Sequence, residues 1–174
     1  HSLALFVALA LGSGALLAPS ATGAADVNGQ NVAIDDTHAP SDNAIAPGGG
    51  PAFGTAAGFI KEEANSGNVT GNTLTFKNIN YMKQLYGGLT FGTGNVTGNK
   101  VFVNPATGTF FSNTDGIFGG AANGGGNVED NHAVFNGNQL NGDLVGGMTK
   151  DGGTGIVKGN TATLKGGNAN KDIY

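Results

Sequence analysis

Four groups of residues in this chain invite a chemical reading: a glycine-rich run ending in lysine, glycine pairs of the calcium-repeat type, adjacent carboxylates, and one histidine beside them. Gly92 to Lys100 (GTGNVTGNK) approaches a phosphate-binding loop, in which backbone N–H groups and a lysine cradle a polyphosphate. Here Asn99 separates the last glycine from Lys100, and Val101 stands where Ser or Thr should hold magnesium. Gly152-Gly153-Thr154-Gly155-Ile156 opens like a calcium-binding nonapeptide, but Val157 occupies the Asp position. Gly124 to Glu129 fails in the same way, and no nine-residue period follows. The acidic places are Asp35-Asp36, Glu62-Glu63 and Glu129-Asp130. On a strand Asp35 and Asp36 face opposite ways and are poorly arranged to share one substrate, and Thr70, Thr97, Glu129 and Lys158 at equivalent positions form no acidic column. His132 replaces the threonines at positions 73 and 161 and reads as a solvent-facing substitution. The glycosylation patterns Asn68-Val69-Thr70 and Asn95-Val96-Thr97 are explained by repetition of one segment. No catalytic, cofactor-binding or metal-binding residue is therefore assigned, and no cofactor is expected.

Composition narrows the classes further. The chain has 33 Gly, 8 Lys, no Arg and no Cys, and only 11% of its residues are charged. A typical soluble domain carries about 25% charged residues. The missing Arg removes the bidentate contacts that read phosphates and bases, so nucleic acid is not an expected partner. The net charge of −4 is spread along the chain with no basic run. Without Cys there is neither a disulfide framework nor a thiolate metal site.

What must position any surface group is a repeat. Four segments share a head: Gly67 to Phe76 (GNVTGNTLTF), Gly94 to Val103 (GNVTGNKVFV), Gly126 to Phe135 (GNVEDNHAVF) and Gly155 to Leu164 (GIVKGNTATL). Tails follow at Leu85 to Gly88, Ile117 to Gly120, Leu144 to Gly147 and Ile173-Tyr174. A worn copy precedes them at Val27 to Ile34, with Ile45 and Gly48-Gly49 as its tail. Leu74 and Phe76 obey the two-residue period of a strand, but Val69 is out of phase with them. A corner must reset the phase, and the residues placed to form it are Gly71-Asn72, Gly98-Asn99, Asp130-Asn131 and Gly159-Asn160. Stacked units would align Val27, Val69, Val96, Val128 and Val157 in one column. Two further apolar columns would run through Leu74 and Phe76, and a fourth would hold the corner asparagines with Gln30. The expected fold is all-β: a parallel β-solenoid of about five stacked repeats with strands near 69–70, 73–77 and 83–86 and their equivalents. A second corner is expected at each Gly-Gly tail. Residues 26–50 form the worn first repeat or N-terminal cap, 51–66 an insertion that could include a short helix, and 67–174 the repeats proper. Phe110 and Phe111 lie side by side in a lengthened second copy.

Ser2 to Leu17 is an apolar run followed by Pro19 and small residues, which reads as a helical signal peptide over 1–25 with cleavage after Ala24 or Ala25. Starting at His1 without a basic segment, it reads as truncated. GNVTGNTLTF followed by LYGG, and GIVKGNTATLKGGNANKDIY, resemble repeats of bacterial autotransporter (type V secretion) passenger regions. That resemblance covers 67–174 and, more weakly, 27–49. It implies display at the outer membrane or cell surface, a C-terminal barrel not contained here, and an adhesive role toward host or neighbouring-cell surfaces without catalysis. Partners implied are a host surface protein or glycan, or a second copy of the chain. The alternatives are a polysaccharide-acting β-helix lyase or hydrolase, tested at Asp35 and Asp36, and a self-associating fibre subunit.

Overall fold

A computed structural model of the chain describes residues 25–34, 55–61, 63–77, 84–104, 116–149 and 153–174. The signal segment over 1–24, Asp35-Asp36, the tail at Ile45 to Gly49, Glu62 and the pair Phe110-Phe111 lie outside the described residues. The described chain is all-β and coils into a parallel solenoid of three sheets. The first sheet stacks five two-residue strands: β1 (Val27–Asn28), β4 (Val69–Thr70), β7 (Val96–Thr97), β10 (Val128–Glu129) and β13 (Val157–Lys158). The second stacks β2 (Asn31–Ile34), β5 (Thr73–Lys77), β8 (Lys100–Asn104), β11 (His132–Leu140) and β14 (Thr161–Ala169). The third holds β3 (Thr55–Ile60), β6 (Leu85–Thr90), β9 (Gly116–Ala122) and β12 (Asp143–Thr149).

Every pairing between these strands is parallel, and the inward positions of the first two sheets stack apolar on apolar. Val27, Val69, Val96, Val128 and Val157 are register partners from coil to coil. So are Val32, Leu74, Val101, Ala133 and Ala162, and likewise Ile34, Phe76, Val103, Phe135 and Leu164. These columns fill the interior, where Ile34, Leu74, Phe76, Val101 and Phe135 are fully buried. Between the first two sheets the backbone turns through left-handed residues. Gly71 and Gly98 adopt φ +66 and Gly159 φ +65, while Asp130 takes the same left-handed backbone at φ 55.

Three expectations need correcting. First, coils β4–β6, β7–β9 and β10–β12 have described neighbours on both sides, so the enclosed stack amounts to about three turns. That is fewer than the five equal copies counted in the sequence. The last copy has no third strand, only a bridge from Leu144 to Ile173. Second, part of the span read as an insertion over 51–66 is a strand of the solenoid. Thr55–Ile60 is the third strand of the first coil, with Ala56 paired to Tyr86 and Gly58 to Gly88. Third, the Gly-Gly tails do not separate two strands. Gly87-Gly88 lies inside β6, which continues to Thr90. Its strand is buried throughout, as sheets covered on both faces are. Tyr86 stacks on Phe118 with ring centroids 5.0 Å apart and planes inclined by 17°, in an apolar cluster distinct from the main core.

Candidate functional site

The corner residues come together as a ladder of buried amides. Asn72 donates its backbone N–H (3.0 Å) and its Nδ2 (2.8 Å) to Oδ1 of Asn99. Asn99 does the same to Asn131, at 2.9 Å for both bonds. Asn131 repeats it to Asn160, again at 2.9 Å for both. The remaining Nδ2 hydrogen turns back to the preceding coil, from Asn99 to the Val69 carbonyl (2.9 Å) and from Asn131 to that of Val96 (2.9 Å). A primary amide offers two donors and two lone pairs, and Asn99 and Asn131 use all four. Gln30 enters through its backbone N–H alone, to Oδ1 of Asn72 at 2.9 Å. Its own Nε2 bonds the Asn28 carbonyl of the same coil instead, at 3.3 Å. Gly58, Gly88, Gly120 and Gly147 face this ladder with no room for a side chain; a Cβ at Gly88 would lie 2.5 Å from Cγ of Asn99. The Gly-Gly tails and the Asn corners are thus two sides of one contact.

A second, outer ladder runs the opposite way and was missed by the sequence reading. Oδ1 of Asp26 accepts the Asn68 N–H (2.7 Å), Asn68 that of Asn95, Asn95 that of Asn127, and Asn127 that of Ile156, the last three at 2.9 Å. The available signal was Asn placed directly before the repeated Val in three successive heads. Both ladders hold backbone and amide groups in mutual hydrogen bonds, so neither offers a nucleophile or an acid–base pair.

Reactive clusters do not assemble elsewhere among the described residues. No group of three His, Cys, Asp or Glu is placed to hold a metal there. His132 is half-buried and its Nδ1 is hydrogen-bonded with Oγ1 of Thr161. Glu129 pairs with Lys158 at 3.6 Å on the surface, a contact worth little in water. A groove of about 420 Å³ is lined by Glu63, Phe91, Thr93 and Asn123, with one carboxylate among the described residues.

The solvent-facing side of the second sheet has a different character. Its outward positions carry Lys77, Lys100 and Lys165 together with Phe102, Asn104 and Asn136, all exposed. None of the five strands of this sheet contains Asp or Glu. Three lysines scattered along the sequence thus share one sheet, although no basic run announces them. Thr75 and Phe102 are register partners, as are Phe102 and Val134. A shallow groove of about 340 Å³ runs past these side chains.

No family model, curated protein or solved structure matches the chain. What the fold itself defines is a parallel β-solenoid with repeats in register.

Proposed function

We propose that this chain is a surface-displayed, autotransporter-like passenger segment that acts as a structural and adhesive repeat protein rather than an enzyme. The observation that carries this reading is the continuous in-register stack. Its polar ladders are spent on holding coils together, which leaves broad, regular sheet faces as the surfaces available for contact. The apolar run of Ser2 to Leu17 and the resemblance of the repeats to passenger regions support export.

Expression of the chain in a Gram-negative cell, with a start Met and two lysines supplied ahead of His1 and residues 1–25 intact, tests this, followed by fractionation and protease treatment of whole cells. Removal of the leader and export out of the cytoplasm are expected, with loss of export when residues 1–25 are deleted. Quantitative retention in the cytoplasm with the leader uncut would sink the reading.

A further inference from the structure

We propose that the outer face of the second sheet is a binding surface for a linear, carboxylate-bearing glycan. Phe102 would serve as its stacking platform, and Lys77, Lys100 and Lys165 as its charge contacts. The inference deepens the adhesive part of the proposed function and rests on it.

Charge selects an anion. The protein is acidic as a whole, with 12 Asp and Glu against 8 Lys. Yet the five strands of this sheet contain three lysines and no carboxylate. The molecule as a whole repels an anion, whereas on the described strands of this face the charged side chains it meets are ammonium groups. Shape selects a linear polymer. The stack repeats every ~4.8 Å along its axis, and the groove past Phe102 is open rather than enclosed. A small compact ligand would gain few contacts there, whereas a chain lying across successive coils meets each in turn.

The remaining groups match a sugar. Phe102 is 37% exposed at the middle coil, flanked by the half-buried Thr75 and Val134. A single ring flush with a sheet suits the C–H face of a pyranose better than the larger apolar core of a protein interface. Asn136 donates Nδ2 to Oδ1 of Asn104 at 2.9 Å, forming an exposed amide pair beside the ring. Amides supply both donors and acceptors, as hydroxyls require. Lys77 is the register partner of Asn104, and Lys165 follows Leu164, the partner of Phe135, at a bulge beside Asn136. The lysines therefore flank the amide pair on both sides along the stack axis. Nucleic acid fits less well, since a duplex with one charge per ~1.7 Å, or a strand with one per ~3.4 Å, would be repelled by a net charge of −4 and find no Arg.

Affinity electrophoresis of the purified full chain through gels containing polygalacturonate, neutral dextran or single-stranded DNA tests the proposal. Retardation by polygalacturonate alone is expected, weakening as salt screens the lysines. Phe102→Ala should weaken binding about tenfold, the scale of truncating one aromatic anchor, and Phe102→Tyr should restore it. Lys77→Ala with Lys165→Ala should weaken it comparably, whereas Lys158→Ala on the first sheet should not. All of these side chains are exposed, and circular dichroism verifies the fold of each variant. Equal retardation by dextran, stronger retardation by DNA, no retardation by polygalacturonate, or indifference to the Phe102 and lysine changes would overturn the proposal. Polygalacturonate binding without export would fail the display reading alone; export without such binding would fail this one alone.

Discussion

Asn99 is the residue on which most of the buried polar network converges. It accepts two hydrogen bonds from Asn72 and returns two, to Val69 and Asn131. Truncation to Ala would leave Asn72 donors and the Val69 carbonyl buried without partners, each orphan costing about 1–3 kcal/mol. Asn99→Ala should therefore lower stability by about 3 kcal/mol, read as a lower urea midpoint at unchanged slope. Asn99→Gln should rescue little, because Gln30 shows the longer amide turning to its own coil at 3.3 Å rather than joining the ladder. A Gln variant as stable as wild type would refute a geometric role for the amide. Two glycines make a contrasting pair. Gly71 has φ +66 and open space around its absent Cβ, so Gly71→Asn should cost well under 1 kcal/mol; Asp130 already occupies the same corner at φ 55. Gly88 needs room instead, with Asn99 2.5 Å from a built Cβ, and Gly88→Ala should cost roughly 1–3 kcal/mol by overpacking. Equal urea midpoints for the two variants would remove the distinction.

Elements show where sequence reasoning succeeded and where it stopped. The short strands and corners of the first two sheets were legible because parallel in-register stacking puts identical residues above one another, as the five valines from Val27 to Val157 do. The third sheet was less so. Its strands carry no clear alternation, so the expected strand stops at Tyr86, before the glycine pair, although β6 runs to Thr90. Ala56 in place of Tyr86 and Phe59 in place of Leu89 hid the first-coil strand altogether, leaving Gly58 as its shared mark. The lysine face was illegible for another reason: only the register and the bulge at Lys165 bring residues 77, 104, 136 and 165 to one edge. The thinnest element is the bridge at Ile173, held by Tyr174 N–H to the Leu144 carbonyl at 3.0 Å. The Tyr174 hydroxyl donates to Oδ2 of Asp172 at 2.7 Å. That bond, then desolvation, then the negative charges of Asp172 and Asp143 raise the phenol above its ordinary pKa. A raised folded value means the neutral phenol is favoured in the folded chain. Its support for the bridge is complete below the ordinary tyrosine range and is lost as pH climbs through the raised value. An ultraviolet titration should show Tyr174 ionising late, and Asp172→Asn should return that transition toward normal. The Tyr174 amide, which the bridge holds on the Leu144 carbonyl, should lose protection over the same alkaline interval beyond the intrinsic rise of exchange with pH.

Across the whole molecule, the coils are near-interchangeable units coupled to their neighbours, so stability should behave as a sum over coils and interfaces. Deleting 94–125 joins Thr93 to Gly126 and lays the β10–β12 coil directly on the β4–β6 coil. Val128 then meets Val69, Ala133 meets Leu74, Phe135 meets Phe76, and Asn131 takes the place of Asn99 as the acceptor for Asn72. Each new pair keeps apolar on apolar or amide on amide as the native columns do, with Ala on Leu and Phe on Phe as the new combinations. The clear loss is the ring stack, since Tyr86 would face Val145 instead of Phe118. The shortened chain should remain folded with an undiminished β signature per residue. It should be shorter by one coil spacing of ~4.8 Å and unfold with a smaller urea slope in proportion to the surface removed. A shortened protein without a cooperative transition would show that the stack depends on a unique central coil and not on repetition. Because the deletion also removes Lys100 and Phe102 while sparing Lys77 and Lys165, a folded product would separate the architecture of the solenoid from the chemistry of its exposed face.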